Sequence, residues 1–517
     1  MYPGVHATTA PDRPAVIMAA DGDRLTFAQL EENSLRLAHR LREHGLRRGD
    51  VIALLSGNDP RVFEVYWAAQ RSGLYVTAIN KHLSADELGY ILHDSGAEAL
   101  FVGPGLTAVV GDLSDHPRVR YAVAMEAPRD DEADWLDYAV ELAAGSIEPL
   151  KDQPRGGDML YSSGTTGRPK GVRPPLPERQ VDEPGDSMVA AFGDRIGLGP
   201  DTVFLSPAPL YHAAPLRLCA AVQALGGTVV VMEKFEAEVA LAAIERHRVT
   251  HSQWVPTMFV RMLKLPASTR TRYDLTSQRV AVHAAAPCPT EVKQRMLDWW
   301  GPILHEYYSS TEVPGMTWIG PEEWAGHAGS VGRPILGVLH ICDDDGRELP
   351  VGEVGTVYFE RDARPFEYHN DPDKTRRTEH PDHPSWTTVG DVGYVDQEGY
   401  LYLTDRKAFM IISGGVNIYP QEIENVLALH PAVADVAVVG IPDPDMGEQV
   451  MALIQPAPEV APDTELAESL VAHVRSRLAG YKVPRTVEFI EQLPRTPTGK
   501  LAKGPLRDQY LMRSAGD

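Results

Sequence analysis

The sequence predicts an α/β protein. A large N-terminal part is built on parallel sheets covered by helices, a β-rich subdomain follows near residue 340, and a small α+β unit begins close to Asp405. Three observations carry this reading. The chain has 517 residues, more than one hydrophobic core holds. Strand-length apolar runs alternate with helix-length patterns through about residue 300, as in parallel sheets covered by helices. From about residue 340 short strands separated by Asp/Gly turns replace the alternation.

Residues 24–48 read as a strand and turn leading into a helix, with Thr26 placed to cap it. Val51-Ile-Ala-Leu-Leu is a short buried strand, 60–72 a helix and Tyr75-Val-Thr-Ala-Ile the next strand. Ala99-Leu-Phe-Val, Thr228-Val-Val-Val-Met and Val280-Ala-Val-His continue the strands, with helices at 236–247, 256–264 and 289–299. Residues 173–187, rich in Pro and charge, read as an exposed loop. The β-rich part holds Val338-Leu-His-Ile-Cys, Gly355-Thr-Val-Tyr-Phe-Glu and Tyr400-Leu-Tyr-Leu-Thr. The last unit has a helix at 420–429, a strand at Val433–Val439, a helix at 464–479 and a strand near Thr486.

The hydrophobic fraction is 43% and the net charge −23. That charge disfavours nucleic acid or anionic lipid as the main partner. It says little against a small anionic ligand, which feels its own pocket over a screening length of about 8–10 Å. No apolar run approaches the roughly 20 residues of a membrane-spanning helix. The N-terminus lacks a basic segment followed by an apolar one, so no secretory signal is expected. Cys219, Cys288 and Cys342 lie far apart with no metal spacing. Reduced thiols and a cytoplasmic location are expected.

Tyr161-Ser-Ser-Gly-Thr-Thr-Gly-Arg-Pro-Lys-Gly171 is a flexible, donor-rich stretch. Backbone N–H groups, hydroxyls and a lysine can all turn toward an anion there. It is not a Walker A loop, which needs four residues between its glycines before Lys-Ser/Thr; Gly164 and Gly167 enclose two. Four further segments stand out: Pro209-Leu-Tyr-His212, His305-Glu-Tyr-Tyr-Ser-Ser-Thr-Glu312, Thr388-Val-Gly-Asp391 running on to Asp405-Arg406, and Pro494-Arg-Thr-Pro-Thr-Gly-Lys500.

In this order, and with Ile412-Ser-Gly-Gly-Val-Asn-Ile-Tyr-Pro between the last two, these segments resemble the adenylate-forming superfamily, most of all its acyl-CoA synthetase and fatty-acid–CoA ligase branch. The resemblance covers nearly the whole chain. It implies an N-terminal adenylation domain, 1–404, of two parallel-type α/β subdomains plus the β-rich one, and a mobile C-terminal domain, 405–517. It also implies a two-step reaction. A carboxylate displaces pyrophosphate from ATP, with Mg²⁺ present, and the acyl adenylate then passes to coenzyme A.

The resemblance also assigns roles to residues. Ser162, Ser163, Gly164, Thr165, Thr166, Gly167 and Lys170 would hold the β- and γ-phosphates. Thr311 would meet the α-phosphate and Glu312 the Mg²⁺, since a hard cation bridging phosphates takes one or two carboxylates plus water. Tyr308 and Ala285 would flank the adenine. Asp391 would accept both ribose hydroxyls, which two carboxylate oxygens suit, and Arg406 would also reach the nucleotide. His212 would close the carboxylate site. Lys500 would bridge carboxylate and α-phosphate in the first step. Ser413, Gly414 and Gly415 would line a pantetheine tunnel in the second, with Lys482 and Arg485 near the CoA phosphates.

The chain departs from the pattern in places. Ala408 stands where a hinge Asp or Lys is usual, and Ala284-Ala285-Ala286-Pro287 and Tyr308-Ser309-Ser310 replace glycine-bearing versions. The added Cβ atoms and hydroxyls should narrow the acyl entrance. The acyl pocket is expected around His212, Trp254, Met258, Ala284, Ser309 and Val313, mostly apolar, with no basic residue standing out for a second carboxylate. A hydrophobic monocarboxylate follows: fatty, aryl-alkanoic or steroid-side-chain. The rival reading is an adenylating enzyme that uses no CoA, an amide synthetase or a carrier-protein loader. The expected partner is a small carboxylic acid, and a homodimer is compatible.

Overall fold

The computed structural model describes residues 2–129, 134–162, 169–406 (backbone only at 405 and 406), 409–414, 416–443, 445–495, 501, 503, 506–507 and 509–510. Two large sheets dominate the N-terminal part. The first has six strands, in the order Leu136–Asp137, Tyr121–Ala124, Ala99–Val102, Val51–Leu55, Tyr75–Ile79, Gly157–Asp158, all parallel. Val51–Leu55 and Tyr75–Ile79 are buried at every position. This is why they read as unbroken apolar runs: a parallel sheet is covered on both faces.

The second sheet has nine strands: Arg333–Leu336, Met316–Ile319, Leu304–Tyr308, Val280–His283, His251–Trp254, Val203–Ser206, Thr228–Val231, Pro14–Met18, Arg24–Thr26. From Leu304–Tyr308 to Pro14–Met18 every pairing is parallel. The outer pairings are antiparallel.

Helices Phe27–Glu43, Arg61–Gln70 and Ala213–Ala224 fill the core shared by both sheets, joining Ile52, Val76 and Phe101 of one to Val16, Phe204 and Val229 of the other. Phe27–Glu43 starts in a capping box. Gln29 N–H donates to Thr26 Oγ1 at 3.2 Å, and Gln29 Oε1 accepts from the Thr26 N–H at 2.9 Å. Leu30, Ser34, Leu37, Ala38 and Leu41 then bury one stripe. The Pro-rich 173–187 stretch is exposed or partly buried throughout except at Val181, which is buried.

Antiparallel strands Val338–Cys342, Gly355–Glu360, Asp391–Val395, Leu401–Arg406 and Trp386–Thr387 form the β-rich sheet. Asp405 and Arg406 thus end the N-terminal sheet, with Asp391 opposite Arg406. The C-terminal sheet starts at Ile411. There Ile411–Ser413, Val416–Ile418, Val433–Asp443 and Gly447–Pro456 are antiparallel and Thr486–Phe489 adds on parallel. Helices Pro420–Leu427 and Thr464–Arg475 cover it. Among the described residues no helix is long and apolar enough to cross a membrane.

Candidate active site

Four neighbouring parallel strands of the nine-stranded sheet end on one side, where ligands gather in open α/β sheets. After Val203–Ser206 comes Pro209–His212, and at the end of His251–Trp254 stands Trp254. After Val280–His283 comes Ala284–Pro287, and after Leu304–Tyr308 comes Ser309–Val313. These segments border a cavity of about 700 Å³, lined by Ser162, Lys170, His212, Trp254, Ala284, Ala285, Ser309, Thr311, Glu312 and Val313. Residues spread from Pro209 to Val313 therefore meet because parallel strands deliver their ends to one edge.

Ser162 and Lys170 face each other across the antiparallel pair Leu160–Ser162 and Lys170–Arg173. The residues between them expected to grip phosphate, Ser163, Gly164, Thr165, Thr166 and Gly167, lie outside the described residues. Lys170 Nζ stands 5.1 Å from the centre of the Tyr368 ring, and Tyr368 Oη donates to Glu312 Oε1 at 3.0 Å. Burial, then the neighbouring Lys374, lowers the Lys170 ammonium to about 8. Sequence reading missed Tyr368 and Lys374. Nothing local in Phe366-Glu-Tyr-His-Asn-Asp-Pro points to a partner 56 residues earlier; strand Glu367–Tyr368 reaches the site only by pairing with Lys170–Arg173.

Ala285 and Val313 carry a second surprise. Both have left-handed backbone, φ +76° and +49°, where a Cβ costs about 1–2 kcal/mol. Ala285 occupies one of the places where the resemblance expects glycine, so the chain keeps the glycine-like conformation with a side chain attached. Such strain persists where surrounding structure imposes it. The Ser309 hydroxyl donates to the Gly315 carbonyl at 2.8 Å.

A second cavity, about 520 Å³, adjoins the first at Ala285, Tyr307 and Ser309. Its walls include Ala286, Pro287, Tyr308 and Asp391 on one side and Glu424, Arg495, Leu501 and Lys503 of the C-terminal unit on the other. Tyr308 Oη donates to Asp391 Oδ2 at 2.6 Å. Gly390, at φ +83°, turns the chain into the strand that Asp391 begins. Lys264 Nζ crosses to the Val433 carbonyl at 2.6 Å, tying the C-terminal unit down beside this cavity.

Several expected residues sit elsewhere. Met258 lines neither cavity. Helix Pro256–Leu263 turns it inward with Phe259 and Met262, and it is buried in the core. Trp254 reaches the cavity edge, but its indole N–H donates to Ser252 Oγ at 2.7 Å and its ring packs on Phe259 and Trp300. Ser413 and Gly414 end a strand of the C-terminal sheet and line neither cavity. Lys482 pairs with Glu422, and Arg485 meets Asp443 at 3.1 Å. Lys500, Gly415, Ala408 and the side chain of Arg406 lie outside the described residues.

The acyl region is expected to hold no basic residue that stands out for a second carboxylate; Arg217 lines the larger cavity. Helix Ala213–Ala224 continues from His212, and five residues bring Arg217 about 7.5 Å further along its axis. Its Nε donates to Asp158 Oδ2 at 2.9 Å.

The donor set suits a hard cation held mainly by phosphates. Glu312 offers one carboxylate, and among the described residues no group of three or more His, Cys, Asp or Glu could cage a metal. Magnesium bound to a polyphosphate asks for no more.

Comparison with known proteins agrees. The family described as AMP-binding enzyme matches residues 5–363, and the AMP-binding enzyme C-terminal domain matches 422–500. A feruloyl-CoA synthase of Streptomyces sp. is 34% identical, with 98% of each chain covered. A fatty acid–[acyl-carrier-protein] ligase of Streptomyces coeruleorubidus is also 34% identical, over 99% of this chain and 96% of its own. Among solved structures, an anthranilate–CoA ligase in complex with anthranoyl-AMP superposes with a TM-score of 0.86 at 25% identity, covering 99% of this chain and 97% of that one.

Proposed function

Since the chain belongs to the AMP-binding enzyme family, as an AMP-forming carboxylic acid–CoA ligase, we propose that it activates an apolar-bodied monocarboxylic acid in the larger cavity and passes the acyl group to coenzyme A. The observation that carries this is the convergence of four strand ends on one cavity of about 700 Å³, with Lys170 and Glu312 on its wall beside the acyl-lining residues. In this reading the acid's carboxylate lies near His212. A carboxylate is already ionised at neutral pH, so His212 positions it and takes no proton. ATP lies across the junction of the two cavities. Its adenine rests between Tyr308 and Ala285, its ribose meets Asp391, its α-phosphate meets Thr311, and Ser162, Ser163, Gly164, Thr165, Thr166, Gly167 and Lys170 hold its outer phosphates. Glu312 would hold Mg²⁺, which would supply charge neutralisation to the phosphates.

The acid's oxygen attacks the α-phosphorus, the bond to pyrophosphate breaks, and the acyl adenylate remains. In the second step the thiol of coenzyme A attacks the acyl carbonyl and AMP leaves. The two steps use different placements of the C-terminal domain, 405–517, over the N-terminal domain, 1–404. Arg495 and Leu501, on either side of Lys500, line the nucleotide-side cavity, while Ser413 and Gly414 line neither. This placement suits the first step; Ser413, Gly414 and Gly415 would turn inward for the second.

The test is a CoA titration over linear, aromatic and sterol-derived acids, reading AMP and thioester. We expect AMP release to require CoA and to match thioester formation one for one. The carrier-protein ligase among the relatives favours one specific alternative. AMP release indifferent to CoA but dependent on a carrier protein or an amine would establish it.

Lys170 yields a further expected result. Its charge is half lost near pH 8 because burial and Lys374 disfavour it. A bound polyphosphate favours the ammonium and raises its pKa again. Binding of MgATP at pH 8 should therefore take up roughly half a proton, and phosphate-side binding should weaken as pH rises through 8. Calorimetry in buffers of different ionisation enthalpy reads the uptake, and Lys170→Met should abolish it. Zero uptake at pH 8 in the unaltered protein would remove Lys170 from the phosphate side.

A further inference from the structure

Arg217 borders the larger cavity, yet its guanidinium is already committed on two sides. Nε donates to Asp158 Oδ2 at 2.9 Å and Nη1 to the Thr311 carbonyl at 3.4 Å. Asp158 is buried and takes a second hydrogen bond from Gln70 Nε2 at 3.2 Å. The fork therefore joins three pieces of chain. Asp158 ends strand Gly157–Asp158, just before strand Leu160–Ser162. Arg217 itself stands on helix Ala213–Ala224, which starts after His212. Thr311 lies in the turn that follows strand Leu304–Tyr308.

That turn is held against its own preference. The Val313 N–H donates to the Ser310 carbonyl at 3.2 Å, and Val313 takes left-handed backbone at φ +49°. A stiff β-branched residue is poorly suited to that conformation, so the turn persists because its surroundings impose it. Arg217 supplies such a hold at the Thr311 carbonyl. A peptide unit is planar and trans, so fixing the Thr311 carbonyl also fixes the Glu312 N–H at the other end of the same plane. The direction in which Glu312 leaves the turn follows from it.

Resting on the reading of Thr311 and Glu312 as the α-phosphate and Mg²⁺ residues, we infer that Arg217 is a positioning residue for adenylation. It clamps the strained turn 310–313 onto Asp158, and so keeps Thr311 and Glu312 in register with the phosphate-side strand Leu160–Ser162 and with His212. A planar fork holds two partners in two fixed directions at once, whereas an ammonium is a single point on a flexible stem. Asp158 offsets the guanidinium charge, so Arg217 is compatible with an apolar-bodied acid beside it.

The test uses the full-length chain and the best acid from the linear, aromatic and sterol-derived panel. Arg217→Lys keeps a cation beside Asp158 and gives up the fork. We expect the kcat of ATP–pyrophosphate exchange to fall about 10- to 100-fold, the usual cost of losing a group that orients a ligand. The KM of the acid should change less than about threefold, because the acid itself loses no contact. Glycine accepts left-handed backbone without strain. Val313→Gly added to Arg217→Lys should therefore recover at least about fivefold in kcat, measured against its own effect in the unaltered chain. Calorimetry gives a readout apart from turnover. Arg217→Lys should cut the advantage that Mg²⁺ gives to ATP binding by about tenfold, since Glu312 is displaced. Exchange near the unaltered rate in Arg217→Lys overturns the inference. So does a large rise in the KM of the acid with kcat kept, which would make Arg217 a substrate contact, or a loss that Val313→Gly does not relieve. Absence of exchange with every acid in the unaltered protein would overturn the ligase reading instead, and the Mg²⁺ advantage in ATP binding would still decide the clamp.

Discussion

Lys500→Ala is expected to lower acid-dependent ATP–pyrophosphate exchange by about 10²–10³-fold or more, the loss that follows removal of one preorganised charge from a transition state. Thioester formation from supplied acyl adenylate should be spared. The first step brings a carboxylate onto a polyanion, and two anions approach only if a cation stands between them. A lysine's compact ammonium on a flexible stem suits that place, and an arginine's planar fork does not; Lys500→Arg should restore little. The flanking residues Arg495 and Leu501 line the cavity that also holds Tyr308 and Asp391, the residues proposed to meet adenine and ribose. The decisive contrast is between the half-reactions. Exchange near the unaltered rate, or equal loss in both steps, would discard the assignment.

The largest stability effect is expected at Lys293. Its ammonium, on helix Thr290–Trp300, is fully buried and donates to Glu306 Oε2 at 2.7 Å. Glu306 lies on strand Leu304–Tyr308, which runs into Ser309–Val313, so the pair pins the strand that presents the site. Lys293→Met leaves a buried carboxylate without its cation and should cost about 3–5 kcal/mol, a large share of the usual 5–15 kcal/mol. The double substitution Lys293→Met with Glu306→Leu should recover most of it, since both desolvation penalties vanish together. Denaturant midpoints of the single and double variants check this. A single variant within 1 kcal/mol of the parent would show that the pair contributes little.

The same cluster sets an acid limit. Burial, then Lys293, holds His305 down to about 4, and His283 is lowered by the same two causes. Unfolded histidine takes its proton near 6.5. Between about pH 6.5 and 4 the unfolded chain therefore binds protons that the folded one refuses, and stability falls as pH falls through that window.

Much of the fold was legible because its causes are local. Val51–Leu55 and Tyr75–Ile79 are runs of β-branched and apolar residues bounded by polar turns, and both occur with the expected limits. Thr26 announced a helix start, and its capping partner is Gln29 at the third helical position. The order of strands was not legible. Nothing near Pro14–Met18 says that it pairs with Thr228–Val231, because that choice depends on which apolar faces remain uncovered once the helices pack.

By itself the sequence determined the reaction class, because motif residues in order mark chemistry whatever their distance apart. It also determined the alternating α/β character, which follows from hydrophobic period. Only the tertiary structure decided what surrounds those motifs. It set Tyr368 and Lys374 against Lys170 and Glu312, turned Met258 into the core, bent Ala285 and Val313 into left-handed backbone, and placed Arg217 on the wall of the larger cavity. The physical reason is that each of these is a relation between elements far apart in the chain. A side chain's neighbours are fixed by sheet order and helix rotation, which minimise exposed apolar area over the whole molecule, and no window of sequence carries that sum.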